Sequence, residues 1–465
     1  MKLNFSSLKL KDDALSTAPM SFSDPDFLKA LVGIMNLIGV ETAPRDVLVK
    51  WQEAQIRNLL RHVVARSPFW RARLQTTARE PALSLCDIPI LTRLELARQV
   101  SEEGALLGLA DKIKVFQHGT SGSSGNPVKF FVSQINGSYN GLRSVAQYFM
   151  EGRDLSLNRT RMRTLSYKQA QEVKGGLPLG FQYRTTPSWI GPFSKFVNTG
   201  KQRDISYLNP NPERLVAEMC REPMGYLVVQ PRLLESFRRN GVLERLVEGE
   251  IAMVIALTEG IDDKLREIFI RRGIPVRCNY SSEEVGLIAS ECELSVGYYH
   301  VASSNVIVER GETVPTLPNS APLSRVLVTH LHSYASPIIR YDLGDCASFH
   351  DSCPCGHHGL TLSNISGRSK NLILHADGSV APFSPKASDL SMLDFDEFRI
   401  RQVTTDHLIV EIAGCKNFTE ERRAALVQLL KGLAGQEFMI DILLVGAIEW
   451  GAGVKRLAFC NEIIM

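Results

Sequence analysis

The residues best suited to chemistry lie in one short stretch, Thr120-Ser121-Gly122-Ser123-Ser124-Gly125-Asn126-Pro127, which follows the apolar pair Val115-Phe116. Glycine lets backbone N–H groups converge on one point, and Ser and Thr add hydroxyl donors. Such a loop is suited to cradling an anion, most often phosphate. It is not a Walker A loop, because neither Gly119 nor Gly122 is followed at the required distance by Gly-Lys-Ser/Thr. It is not a Gly-x-Ser-x-Gly nucleophile elbow, because Ser121 and Ser124 each lack one flanking glycine. The plain alternative is a polar hairpin loop.

Three later stretches set charged residues beside glycine. They are Tyr280-Ser281-Ser282-Glu283-Glu284-Val285-Gly286, Pro337-Ile-Ile-Arg340-Tyr-Asp-Leu-Gly344-Asp345 and Ser366-Gly367-Arg368-Ser369-Lys370. Together with the 120–127 loop, and in this order, they resemble the adenylate-forming enzymes, the acyl-CoA synthetase and adenylation-domain superfamily. Ser67-Pro68-Phe69-Trp70-Arg71 and Ile88-Pro89-Ile90-Leu91-Thr92-Arg93-Leu94-Glu95-Leu96 make the chain most similar to the phenylacetate–CoA ligase branch.

The resemblance implies roles for individual residues. Thr120, Ser121, Gly122, Ser123, Ser124, Gly125 and Pro127 would cradle the phosphates of ATP, with Lys129 as a nearby cation. Glu284 would hold Mg2+, with Glu283 as the competing acid, and Tyr280 would stack near adenine beside Ser281 and Ser282. Glu259 and Gly260 would border the nucleotide. Asp345 would take the ribose hydroxyls, with Asp342 as its rival. Arg368 would contact the nucleotide, and Lys370 would be the hinge of a mobile small domain. Lys455, in Gly451-Ala-Gly-Val-Lys455-Arg456, would be the catalytic lysine, with Arg456 as the alternative.

A second constellation is Cys292, His300, Cys353 and Cys355. Cys-Pro-Cys-Gly is a tight thiolate pair, and two further ligands would close a tetrahedral Zn2+ site. Members of the branch that the chain resembles build such a site from an earlier Cys and His. Here His357 and His358 are rival ligands.

The implied activity is AMP-forming activation of a small-molecule carboxylic acid, with transfer to CoA or a carrier thiol as the second step. ATP, Mg2+, structural Zn2+ and CoA are the expected cofactors, and a homodimer is compatible with the family. An aryl or arylalkanoic acid is the preferred class, because Phe181, Tyr183, Trp189 and Phe193 could line an acyl pocket or equally belong to the core. Rival readings are an amine acceptor, a non-carboxylate anion such as nitrite, or a nucleotide-binding relative without catalysis.

Composition agrees with an enzyme of this kind. At 465 residues the chain needs two or three units. A net charge of +3 argues against a nucleic-acid partner. No apolar run approaches the ~20 residues of a membrane helix. Lys9, Lys11, Asp12 and Asp13 interrupt any leader pattern, so a cytoplasmic protein is expected. Nine cysteines, an odd count, fit a metal better than a disulfide framework.

The positioning elements are an α/β core with parallel-sheet units and a small α+β C-terminal domain. Ile56, Leu59, Leu60, Val63 and Val64 predict a helix over 49–66 that stops before Pro68. Tyr226–Val229, Ile251–Leu257 and Ile274–Asn279 read as buried strands, alternating with helices over 232–249 and 261–272. Sites on such sheets lie at the carboxyl ends of strands, where Glu259-Gly260 and Tyr280–Glu284 stand. Strands over 399–403, 408–412 and 438–445, with a helix capped by Thr419, predict the small domain. Its helix would bury Leu426, Val427, Leu429, Leu430 and Leu433. The expected division is 1–367, with a helical segment over about 25–110 and the nucleotide site over 116–345, then 368–465.

Overall fold

The computed structural model describes residues 9–10, 25–75, 84–119, 128–165, 167–195, 197–209, 211–257, 260–316, 321–366, 372–383, 385, 390, 392–395, 397–449 and 458–463. The chain enters through helices α1 (Pro25–Glu41) and α2 (Arg45–Arg66). All five apolar residues that predicted α2 are buried. Ser67 ends that helix and starts α3 (Pro68–Arg73), its Oγ accepting a bond from Trp70 N at 3.0 Å. Pro68 therefore opens a helix at its first turn, where a missing N–H costs nothing. Helix α4 (Arg93–Glu103) carries a reciprocal cap: Thr92 Oγ accepts from Glu95 N, and the Glu95 carboxylate accepts from Thr92 N at 2.8 Å.

A hairpin of β1 (Val115–Gly119) and β2 (Lys129–Ser133) leads into α5 (Gln134–Met150). The central sheet is built from β3 (Arg159–Thr164), β4 (Phe181–Thr186), β5 (Gln202–Tyr207), β6 (Gly225–Val229), β7 (Ile251–Ala256), β8 (Val276–Ser282), β9 (Gly286–Glu291), β10 (Tyr299–Val301), β11 (Val306–Val314), β12 (Leu323–His330), β13 (Tyr341–His350) and β14 (Thr361–Ser366). Their spatial order is β11-β12-β13-β14-β10-β9-β8-β7-β6-β3-β5-β4. Neighbours from β5 to β8 run parallel, whereas β4 and every strand beyond β8 pair antiparallel. The sheet is thus mixed rather than wholly parallel, because tight turns replace crossover helices after Ser282. The helix expected over 232–249 is two, Pro231–Arg239 and Leu243–Val247. Asn240-Gly241 parts them, with Gly241 at φ +69°. Among the described residues no helix is long and apolar enough to cross a membrane.

The C-terminal sheet has the order β17 (Met439–Val445), β16 (His407–Ala413), β15 (Glu397–Thr404), β18 (Phe459–Asn461). Helix α6 (Glu420–Ala434) covers one face through Leu426 and Leu430, and Thr419 caps it as expected. Leu433, assigned to the buried side, is instead 51% exposed. Fully buried Gln402 and Asn461 bond the backbone of the small Leu372–Leu374 hairpin strand, tying it to this sheet. The expected boundary at 367/368 falls outside the described residues.

Candidate nucleotide site and metal centre

Strand β8 follows parallel β7 and delivers Tyr280 near its carboxyl end. There the phenol donates to Asp345 Oδ2 at 2.7 Å. Burial, then the adjoining Asp345 carboxylate, push the Tyr280 hydroxyl well above its usual range. Asp345 reaches this position because β13 bulges against β12. Leu327 pairs with Asp342 and Arg325 with Cys346, so extra residues protrude between them. Gly344, at φ +83°, sits in the protrusion. Asp342 holds the bulge in place, accepting from Gly344 N at 2.9 Å and from Arg325 at 2.7 Å. The two acids that the sequence left as rivals therefore do different work.

The tight β8–β9 turn presents Glu283 and Glu284, with Gly286 at φ +73°. Glu283 is exposed. The Glu284 side chain is only 7% exposed and lies 3.3 Å from Arg93 Nη1. Tyr341 donates to the same carboxylate oxygen at 3.4 Å. Sequence reasoning placed Arg93 only in a family-like stretch and gave it no role. The signal was an arginine immediately after the Thr92 cap, but its target is fixed by distant backbone pairing. Leu91 forms a parallel bridge with Tyr341, with Leu91 N donating to Arg340 O and Asp342 N to Leu91 O. Arg340, at φ +50°, secures the same segment through the Cys86 and Ile88 carbonyls.

Ser281 is exposed and Ser282 half-buried, its Oγ accepting from Val285 N at 3.3 Å. Gly260 lies exposed beyond β7, and Lys129 is exposed at the start of β2. Residues Thr120–Pro127, Glu259, Arg368, Lys370, Lys455 and Arg456 lie outside the described residues. Phe181, Trp189 and Phe193 are core residues, and Tyr183 is half-buried against the core with its hydroxyl on Arg203. Close packing against apolar neighbours claims these rings, so they give no support to an aryl pocket.

Cys292, His300, Cys353 and Cys355 converge, with one ligand atom from each lying within 4.8 Å of all the others. The eight-residue gap from Cys292 to His300 spans a turn closed by Cys292 N on Tyr298 O, after which β10 returns beside β9. His357 stacks on the His300 ring at 4.2 Å between centroids rather than joining the cluster. Burial first, then His357 and Arg277, lower the His300 imidazole to about 4, which favours the neutral form that a metal requires. Three sulfurs and one imidazole nitrogen fit a closed, tetrahedral zinc site.

No protein-family model and no curated protein matches the sequence. Solved structures do match. 2-Hydroxyisobutyryl-CoA ligase in its postadenylation state, with an acyl-AMP bound, is 16% identical over 92% of each chain at a TM-score of 0.65. The same ligase with 2-HIB-AMP and CoA in its thioesterification state gives 16% over 92% of each chain at 0.53. The chain therefore has the fold of the adenylate-forming acyl-CoA ligases.

Proposed function

We propose that the protein is an AMP-forming ligase that activates a carboxylic acid with ATP and passes the acyl group to the thiol of CoA. One observation carries this reading: Tyr280, Glu284 and Asp345, from two separate stretches, meet at the carboxyl end of the parallel strands. A carboxylate oxygen of the acid attacks the α-phosphorus, the bond to pyrophosphate breaks, and acyl-AMP forms. Attack of the CoA thiolate on the acyl carbonyl then expels AMP.

In this reading Tyr280 flanks the adenine, Asp345 accepts from the ribose hydroxyls, and the 120–127 loop surrounds the phosphates. Glu284 is the Mg2+ carboxylate; the ion neutralises charge on the phosphate oxygens when bound. Arg368 and Lys455 supply cations, and Lys370 is the hinge between units divided at 367/368. Cys292, His300, Cys353 and Cys355 would hold a structural zinc, which also favours the phenylacetate–CoA ligase branch.

The test is pyrophosphate release over a panel of acids, with the acyl-adenylate detected by mass spectrometry. Glu284→Gln should cut the rate about a hundredfold or more while the fold survives. Normal turnover by that variant would remove Glu284 from the metal role, and silence from every acid would overturn the reaction assignment.

A further inference from the structure

Helix α5 carries a polar stripe, Asn136, Asn140, Arg143 and Gln147, at the spacing that aligns residues on one helix face. Three of the four are satisfied. Asn136 Nδ2 donates to His332 O at 3.4 Å, Asn140 Nδ2 to Asn136 Oδ1 at 2.6 Å, and Gln147 Nε2 to Ser290 Oγ at 2.9 Å. Arg143 is different. It is 9% exposed, its Nε has no hydrogen-bond partner, and it forms no ion pair among the described residues.

The groups around Arg143 are committed elsewhere. Glu41, at the end of α1, accepts from Ser303 N at 3.2 Å, from Ser304 N at 2.9 Å and from Ser304 Oγ at 2.5 Å. Burial pushes its carboxyl upward in spite of these bonds, toward the neutral acid. Tyr139 donates to Ser304 O at 2.6 Å, and its ring lies 3.5 Å from that of His332. His330 is 2% exposed, and neither of its ring nitrogens has a partner. A buried guanidinium without a counter-ion costs several kcal/mol. Two unpartnered buried basic side chains, on α5 and at the end of β12, thus stand without the anion that would compensate them.

This cluster adjoins the site described above. Asn305, next to Ser304, donates to Val285 O at 3.0 Å and Leu287 O at 2.7 Å, and so fastens the cluster to the Glu284 turn. Helix α5 itself starts from the β1–β2 hairpin that brackets the 120–127 loop. We infer that Arg143 and His330 form a subsite for a second acidic group at the far end of the acid substrate, so that the ligase takes dicarboxylic acids. This rests on the reading that an acid is adenylated beside Glu284. A distal carboxylate would accept charge-assisted bonds from the guanidinium, whereas a monoacid would leave the buried cation unpaired.

The test compares saturated mono- and dicarboxylic acids of matched length, from three to eight carbons, in the pyrophosphate-release assay. The wild-type protein should favour diacids of some length in kcat/KM by about tenfold or more. Arg143→Met should reduce the diacid-to-monoacid ratio by about ten- to hundredfold, and Arg143→Lys should restore part of it. A wild-type panel without diacid preference overturns the inference, whether or not the variants fold. Equal loss for both acid classes in Arg143→Met also overturns it, because a structural arginine would act that way. Calorimetric binding of the same acids, with Mg2+ and a non-hydrolysable ATP analogue, separates the two readings. Diacid binding that Arg143→Met abolishes, without pyrophosphate release from any acid, would sink the ligase reading and sustain the subsite. Absence of diacid binding would sink the subsite.

Discussion

Removing either member of the Arg93–Glu284 pair should destabilise the large unit, and removing both should cost less than the sum. At 3.3 Å, opposite charges attract by about 5 kcal/mol at an effective dielectric of about 20. The Arg93 side chain is 28% exposed, so solvent screens that attraction, and burying Glu284 has already cost hydration. The net coupling should fall between an exposed pair and a fully buried one, at about 1–2 kcal/mol. The assay is urea unfolding followed by tryptophan fluorescence for the wild type, Arg93→Met, Glu284→Gln and the double variant. Arg93→Met leaves the buried carboxylate without its cation, and Glu284→Gln on that background removes the charge to be compensated. Strict additivity, within about 0.5 kcal/mol, would refute the pairing.

Purified protein should hold about one zinc per chain by metal analysis. Cys355→Ser should lower the melting temperature more than it alters turnover per folded molecule, and metal-free protein without prior chelation would contradict both. The His332 imidazole is pressed down to about 4, chiefly by burial, so it is neutral when folded but takes up a proton near 6.5 when unfolded. Stability should therefore fall as pH drops from about 6.5 to about 4, by up to about 1.4 kcal/mol per unit from this group. His332→Gln should flatten that slope, measured as urea midpoint against pH, and an unchanged slope would place the titration elsewhere. Lys455→Ala should slow adenylate formation greatly yet still pass a supplied acyl-adenylate to CoA, as single-turnover assays of each half-reaction would show. Equal slowing of both steps would mean a structural lysine.

Local patterns gave the strands and helices around the site, because alternation and capping act over a few residues. Tyr226–Val229, the turn at Glu283-Glu284 and the Thr419 cap were all legible in that way. Arg93 was not, because the Leu91–Tyr341 bridge that aims it joins segments far apart in sequence. Nor could composition separate Asp342 from Asp345. Only the bulge, and the Arg325 that braces it, distinguish the two. Aromatic content misled at Phe181 and Trp189, because a ring suits a core as well as a pocket.

The Leu91–Tyr341 bridge also limits how this protein can be recombined. A chimera cut near residue 116 would inherit every expected nucleotide residue up to 345, yet graft a foreign helical segment beside them. Its Glu284 would then face whatever side chain the donor places after its own equivalent of Thr92. The first hundred residues thus behave as a co-inherited wall of the site rather than an exchangeable accessory, and crossovers placed before Pro25 should be tolerated better than crossovers between Glu103 and Val115.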